Sequence, residues 1–387
     1  MQEAHAAPVI IANYDFRSSG TAAKSIQIAS AAREAGLPAE LWVVRAQGAL
    51  LPKVPTGIPV VETGQRIPRF RNRGADLIAG IPALAGWLRK RRPSVLLSGG
   101  NHFHLAAHAA LIFSGLRRRV RLGLRISNSL RHSHGAAITA ASSLKYRGAD
   151  FVAAVSEGLA REVRAELPRM DVHCIPNGCN VAGIRQQMQA GFQHRFLDGT
   201  GVVISTMGRI SRQKGYDILI EALAQLTPEV DARLLVVGEG PERDINWLRR
   251  VAQHHGVGER VDFVGYLGNP FALIGRSDVY VCASRWEGSC NALLEALACG
   301  VPVVATDCPT GNSEILFEGR LGTLAPPESP AGLARAIRRE LEQRRDVAGR
   351  ASHLLRFDLR QCMDEWIQLL SREHGVGGSP VTQPLSS

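Results

Sequence analysis

Aromatic residues are scarce in this sequence, at 5% of 387 positions, and no apolar run reaches about 18 residues, the length a membrane-crossing helix needs. The longest candidates, Ala79–Leu88 and Leu105–Phe113, are short and soon followed by arginine. A transmembrane helix is therefore not expected. The opening MQEAHAAPVIIANYDF has no basic leader region and runs into a strand-like segment, so no secretory signal is expected either. Paired cysteines are missing as well. The seven present are Cys174, Cys179, Cys282, Cys290, Cys299, Cys308 and Cys362, an odd number without a CxxC. Several lie in apolar runs and read as small packed residues of a reduced, cytosolic chain, not as disulfides or zinc ligands.

Negative charge is short in one half only. Residues 1–195 hold 26 Lys and Arg against 11 Asp and Glu, while residues 196–387 hold 20 against 24. The net charge of +11 thus belongs to the N-terminal half, concentrated in Arg66–Arg73, Arg89–Arg92 and Arg117–Arg121. Such clusters attract an anionic membrane surface at about 1 kcal/mol per basic residue near it. Nucleic acid is not the expected partner, because no aromatic residues interleave with the arginines.

What is abundant is glycine, 39 residues, with 45% hydrophobic and 21% charged positions. The length predicts two domains, and the glycine count suits tight strand-to-helix turns of an α/β fold. Strands are predicted at Val9–Ala12, Glu40–Val44, Ser94–Leu97, Arg121–Ile126, Phe151–Val155 and Val172–Ile175. A helix is predicted at Ala22–Ala35, and an Ala-rich one after Asn101. The second half predicts strands at Val202–Met207, Arg233–Val237, Val261–Val264, Val279–Cys282 and Val301–Ala305. Helices are predicted at Asp217–Leu226 and Asn291–Cys299. The polar stretch 183–199 predicts a boundary, giving a Rossmann-like domain over 1–190, a second over 191–375, and a disordered tail over 376–387.

Three strand-to-helix segments of the second half converge on one ligand chemistry. In Gly208–Gly215, Arg209 and Lys214 stand five apart in a loop that Gly215 lets turn, a spacing suited to a diphosphate. In Ser284–Glu295, a helix start near Ser289 or Cys290 offers free amides to a phosphate. Asn291 and Glu295 share a face of that helix, and the carboxylate one turn in can accept from ribose hydroxyls. Ser289 could instead simply cap the helix. The loop Asp307–Leu316 closes the same end of the cleft.

These segments resemble the nucleotide-binding domain of retaining GT-B glycosyltransferases of the GT4-type, group 1 family. The GR-x4-KG of Gly208–Gly215 and the E-x7-E from Glu287 to Glu295 carry the likeness. Gly238–Pro241, Val264–Tyr266 and the IPNG of Ile175–Gly178 support it. The resemblance implies a GT-B fold of two Rossmann-like domains facing across a cleft. It implies that Arg209 and Lys214 hold the donor's diphosphate, Glu295 the ribose and Glu287 the sugar hydroxyls. The backbone of Gly288, Ser289, Cys290 and Asn291 is to meet phosphate and sugar, Gly20 the β-phosphate from the opposite domain, and Gly265 and Tyr266 the base. No metal or cofactor is implied, and no DxD pair stands in a suitable loop. Many relatives carry a histidine after the strand at Arg121–Ile126; here the chain reads Ser127-Asn128-Ser129. Asn128 and His102 are the first substitutes, with His104 and His132 behind them, whereas His108 reads as packed.

The activity implied is transfer of a sugar from a nucleoside-diphosphate donor, UDP favoured, to a hydroxyl of a lipid-linked or saccharide acceptor of bacterial surface polysaccharide. The enzyme is expected in the cytoplasm, peripheral to the inner membrane face. A nucleotide-sugar epimerase of the same fold, or a catalytically decayed membrane-docking protein, are the alternatives.

Overall fold

The computed structural model describes residues 7–17, 20–70, 72–130, 146, 148–343 and 349–375. The expected tail 376–387 and His132 lie outside the described residues. Two parallel sheets form two α/β domains. In the first, β1 (Val9–Asn13), α1 (Gly20–Glu34), β2 (Ala39–Val43), β3 (Val60–Glu62), α2 (Arg73–Arg91), β4 (Val95–Ser98), α3 (His104–Ser114), β5 (Arg121–Ile126), β6 (Phe151–Ala154), α4 (Glu157–Glu166) and β7 (Asp171–Cys174) follow in sequence. The strand order is β3-β2-β1-β4-β5-β6-β7. After α5 (Val181–Met188), the second domain runs β8 (Val202–Met207), α6 (Tyr216–Leu226), β9 (Ala232–Val237), α7 (Glu242–His254), β10 (Val261–Gly265), α8 (Phe271–Ile274), β11 (Val279–Cys282), α9 (Asn291–Cys299), β12 (Val303–Thr306), α10 (Asn312–Ile315), β13 (Thr323–Ala325) and α11 (Pro330–Glu342). Its order is β10-β9-β8-β11-β12-β13. Helices α12 (Arg350–Leu355) and α13 (Leu359–His374) end the described chain.

The strands are short apolar runs because both faces are covered. In β1, Val9 and Ile11 enter the core on one face, and Ile10 and Ala12 the core on the other. Parallel pairing then puts every strand-to-helix loop of a domain at the carboxyl edge of its sheet, where such folds bind ligands.

The domain limits differ from the boundary expected at residue 190. Helix α5 packs on α8 and α9, with Ile184 in a core of the second domain, so the crossover precedes it. Helix α13, expected in the second domain, crosses back: Cys362, Met363, Trp366, Leu369 and Leu370 fill the first domain's core beside Val9 and Ile11. An apolar helix face is buried wherever uncovered sheet remains, and periodicity does not say which sheet that is. The last predicted strand also starts later, at Val303, after Pro302, which has no amide to donate.

Candidate active site

The loop after β8 is built by close backbone approach. A Cβ on Gly238, at the end of β9, would stand 2.0 Å from the Gly208 carbonyl oxygen. Gly215 adopts φ +63 after the 3-10 turn Arg212–Lys214, and a Cβ there would stand 2.1 Å from the Ala283 carbonyl oxygen. That contact sets Lys214 against the loop after β11. Its Nζ donates to Glu287 Oε1 at 2.7 Å and lies 4.0 Å from Cys290 Sγ. Burial acts to lower the Lys214 pKa, but the Cys290 sulfur and the Glu287 carboxylate outweigh it and hold the ammonium charged, above its usual value.

Glu287 is itself fixed. Ser284 Oγ donates to the same carboxylate oxygen at 2.7 Å, and Gln213 Nε2 reaches the other at 3.5 Å. Thr310 Oγ1, from the third loop, donates to the Glu287 carbonyl. Arg209 differs: it is exposed at the rim of the loop, and no described carboxylate pairs with it.

Helix α9 starts with Cys290 as N-cap, and no side chain caps it. Ser289 therefore does not serve as the cap. An uncapped start leaves first-turn amides and the positive end of the helix dipole to an anion. Asn291 Oδ1 accepts from Asn177 Nδ2 at 2.7 Å, and Asn177 Oδ1 accepts from Arg125 Nη2 at 2.5 Å. Arg125, on β5, is 2% exposed, and burial lowers its pKa to about 10, still charged at neutral pH. Gly20 opens α1 on the other side: a Cβ there would stand 3.4 Å from Asn291 Nδ2. One turn into α9, burial raises Glu295 to about 7, against the opposing pull of Lys24 and Lys214. Lys24 of α1 donates to the Gly178 carbonyl at 3.1 Å, and burial foremost, then Arg125, lowers it to about 8.

The domains meet at the same loops. Ser156 Oγ accepts from Leu159 N at the start of α4 and donates to the Gly288 carbonyl at 2.7 Å. A Cβ on Gly288 would stand 2.3 Å from Ser127 O and 2.9 Å from Asn128 N. Asn128 is thus brought to the Glu287–Gly288 loop, where its Oδ1 accepts from Ser129 N at 3.1 Å. The third loop packs beneath, with Glu314 Oε2 accepting from Glu157 N at 2.9 Å.

No described hydrogen bond joins His102 to these residues, although its ring lies near the start of α1, where a Cβ on Gly100 would stand 3.4 Å from His102 Cε1 and 2.8 Å from Thr21 Cγ2. His102 bonds to Arg73, whose guanidinium lies 4.4 Å over the Tyr14 ring on the first domain. His104 is buried with Nδ1 2.7 Å from Ser98 Oγ, and the His108 ring fills the space a Cβ on Gly148 would need. Both are packing residues. Gly265 ends β10 beside the end of β9, and Tyr266 follows it; the Gly265 carbonyl accepts from Gly238 N at 2.8 Å, and Tyr266 is exposed.

One group among the described residues could hold a metal ion. The ligand atoms of Cys282, Glu287 and Cys290 lie within 4.8 Å of one another, with the two sulfurs 3.5 Å apart. The cation bonded in that group is the Lys214 ammonium.

Sequence reasoning missed Arg125, Lys24, Gln213, Ser284 and Ser156. The second arginine of RLGLRI, set inside the apolar part of the strand, and a lysine on the buried side of α1, were the available signals. Ser284 and Gln213 carry no such mark, because their roles arise only when two loops touch.

Comparison with known proteins divides along the two domains. Residues 20–182 match Glycosyltransferase Family 4, and residues 201–343 match Glycosyl transferases group 1. The chain is 33% identical over 174 residues to the lipopolysaccharide core biosynthesis glycosyltransferase LpsE of Rhizobium meliloti, covering 44% of this chain and 49% of that protein. It is 32% identical over 215 residues to the phosphatidyl-myo-inositol mannosyltransferase of Mycobacterium leprae, covering 53% of this chain and 54% of that one. The chain thus spans about half the length of these curated relatives, and 37% of two others. In fold it is similar to Anabaena HepE in complex with UDP and glucose, with a TM-score of 0.73 at 22% identity, covering 94% of this chain and 99% of that one. WaaG, a glycosyltransferase involved in lipopolysaccharide biosynthesis, aligns with a TM-score of 0.68 at 16% identity, covering 96% of this chain and 100% of that one.

Proposed function

The chain belongs to the group 1, family 4 glycosyltransferases of GT-B fold, and from that premise we propose that it is a retaining glycosyltransferase using a nucleoside-diphosphate sugar, with UDP favoured. The acceptor is a hydroxyl of a lipid-linked or saccharide molecule in bacterial surface polysaccharide synthesis. The observation that carries this reading is the Lys214–Glu287 pair at the uncapped start of α9, facing Gly20 of the first domain.

The chemistry follows from where charge develops. Breaking the bond between sugar and diphosphate leaves negative charge on the departing oxygen, which fixed positive groups stabilise more strongly than they do the bound donor. Lys214, held by Glu287 and kept charged, is such a group, and the first-turn amides of α9 are another. Arg209, exposed and without a carboxylate partner among the described residues, can swing onto the phosphates. Glu295 faces the ribose, and the row of loops ending β8, β9 and β10 provides a floor for the base at Gly265 and Tyr266. Glu287 orients Lys214 and presents its remaining acceptor capacity to the donor sugar. Asn128 stands against Gly288 where relatives have histidine and serves as a hydrogen-bonding group. Retention with no free nucleophile at this place favours attack from the leaving-group side, with the departing phosphate taking the acceptor's proton.

In this reading the diphosphate is neutralised by protein groups and needs no divalent ion. The acceptor is bound by the first domain, whose basic surface supports attachment to an anionic membrane from the cytoplasmic side. Among the described residues no helix is long and apolar enough to cross a membrane. The test is incubation with UDP-, GDP- and ADP-sugars, with and without polyprenyl-linked acceptor, measuring nucleoside diphosphate release. Acceptor-stimulated release supports the reading. Isomerised donor without release points to an epimerase, and binding without turnover to a decayed site.

A further inference from the structure

Helices α2 and α3 lie side by side on one face of the first sheet, both starting at its carboxyl edge. Their inner faces are ordinary core: Leu77, Leu84 and Leu88 from α2, and Ala107, Ala110 and Leu111 from α3. Their outer faces are the anomaly. Between Arg73 and Arg89 the exposed positions of α2 are Gly74, Ile78, Pro82 and Gly86, an i, i+4 stripe without a charge. Along α3 they are Leu105, Ile112 and Phe113. Ile78 is 69% exposed, Phe113 65%, Ile112 58% and Leu105 55%. A water-facing helix surface normally carries polar side chains; here two adjacent helices carry none over most of their length.

Basic residues bound this face at both ends: Arg66, Arg69 and Arg73 are exposed before and at the start of α2, and a second set lies where the two helices end. Arg89 of α2 donates to the carbonyls of Phe113 and Ser114, which brings the C-terminal ends of the two helices together. Around that junction Lys90, Arg92, Arg118 and Arg119 are exposed. Their neighbours are committed elsewhere: Arg91 pairs with Glu40, and Arg117 and Arg121 with Asp150. The opposite end of the face is anchored at the cleft. Asp76, in the first turn of α2, accepts from Arg45 and Tyr14 in a buried cluster, and the Arg45 guanidinium foremost lowers its pKa to about 2.

We propose that the outer face of α2 and α3 inserts into an anionic bilayer leaflet, with Ile78, Leu105, Ile112 and Phe113 in the acyl boundary and the basic junction against the headgroups. An apolar face bounded by basic residues matches the chemistry of an interfacial helix surface. Charge complementarity selects the anionic leaflet over a second copy of this chain, whose own basic junction would repel it. The orientation also has a use. Both helices begin at the cleft edge, so a leaflet lying along them holds a lipid-linked acceptor's headgroup near the cleft mouth. The proposal rests on the reading that the acceptor is lipid-linked.

The test is sedimentation of the full chain with vesicles of phosphatidylglycerol and phosphatidylcholine, against phosphatidylcholine alone. One variant combines Leu105→Ser, Ile112→Ser and Phe113→Ser; a second combines Lys90→Gln, Arg118→Gln and Arg119→Gln. The parent is expected to bind anionic vesicles and to remain partly bound at about 0.5 M salt, where exposed charges are screened. The apolar variant should bind about tenfold more weakly or worse, and release completely in salt. The basic variant should lose its preference for phosphatidylglycerol. Parent-like binding by the apolar variant at both salts overturns the proposal, as does a parent that ignores anionic vesicles. So does a parent dimer that the apolar variant converts to monomer. Because all six residues are exposed, nucleoside diphosphate release with a soluble acceptor analogue should be unchanged in both variants. If vesicle binding behaves as expected but the parent turns over no donor, the insertion surface stands and the glycosyltransferase reading falls.

Discussion

Asn177 of the first domain donates from Nδ2 to Asn291 Oδ1 of the second at 2.7 Å, and its other side-chain atom accepts from the buried Arg125. One amide thus ties a charge in the first sheet to the uncapped start of α9 in the second domain. The bond is charge-assisted at one end and reaches across the cleft at the other.

Asn177→Ala leaves Arg125 without its side-chain partner and Asn291 without its donor. Stability should fall by about 1–3 kcal/mol in urea unfolding. In a double-mutant cycle with Asn291→Ala the coupling should exceed about 0.5 kcal/mol. Additive effects would mean that the two side chains act independently.

Arg209→Ala and Lys214→Ala should each lower turnover by about 100-fold or more, since both groups act on charge that grows in the transition state. Their stabilities should diverge. Arg209 is exposed, so its loss should stay within about 0.5 kcal/mol. Losing Lys214 leaves the Glu287 carboxylate buried and unpaired, and should cost about 3 kcal/mol. Equal melting temperatures for the two variants would contradict the ion pair.

Glu295 carries a pH dependence with a definite sign. Its folded value is raised by burial from 4.5 to about 7. Below 4.5 it is protonated in both folded and unfolded chains. Between 4.5 and 7 the unfolded chain ionises while the folded one keeps its proton, so this group's contribution to stability is lost as pH rises through that window. Glu295→Gln should flatten this part of the Tm profile. For the ribose role, donor KM should fall as pH rises through about 7 in the parent and stay constant in Glu295→Gln, with kcat changing less.

Gly288→Ala tests the closed contact between domains. The added Cβ would meet the Ser127 carbonyl oxygen at 2.3 Å, a backbone atom that yields only if the domains part. The strain should be about 1–3 kcal/mol, and small-angle scattering should show a more open particle with raised donor KM. An unchanged scattering profile would mean that the loop, not the domain pair, absorbs the methyl group.

Chelation addresses the cysteine–carboxylate group. If Lys214 is the working cation beside Cys282, Glu287 and Cys290, EDTA should leave turnover unchanged and Mg²⁺ or Mn²⁺ should not raise it. Loss of activity on chelation, restored by a divalent ion, would assign the role to a metal.

Local chemistry was legible in the sequence, and contacts between distant segments were not. Short apolar runs specified most strands of both sheets, because a strand covered on both faces is mainly apolar; the three-residue edge strands β3 and β13 are too short to leave such a run and were not predicted. The spacing of Arg209 and Lys214, and of Glu287 and Glu295, is set within one loop or one helix turn, so it survives being read in one dimension. Cys299 and Gly300 marked the end of α9 for the same reason: the φ of +86 at Gly300 suits glycine. Tertiary structure alone decided that α13 returns to the first domain, since an apolar helix stripe fits any uncovered sheet. It alone paired His102 with Arg73, and brought Asn128 against the loop of Glu287 through the bare Cα of Gly288. It alone turned Leu105, Ile112 and Phe113 outward: an apolar residue in a helix is expected inside, and only the packing of α2 and α3 decided which face was already full.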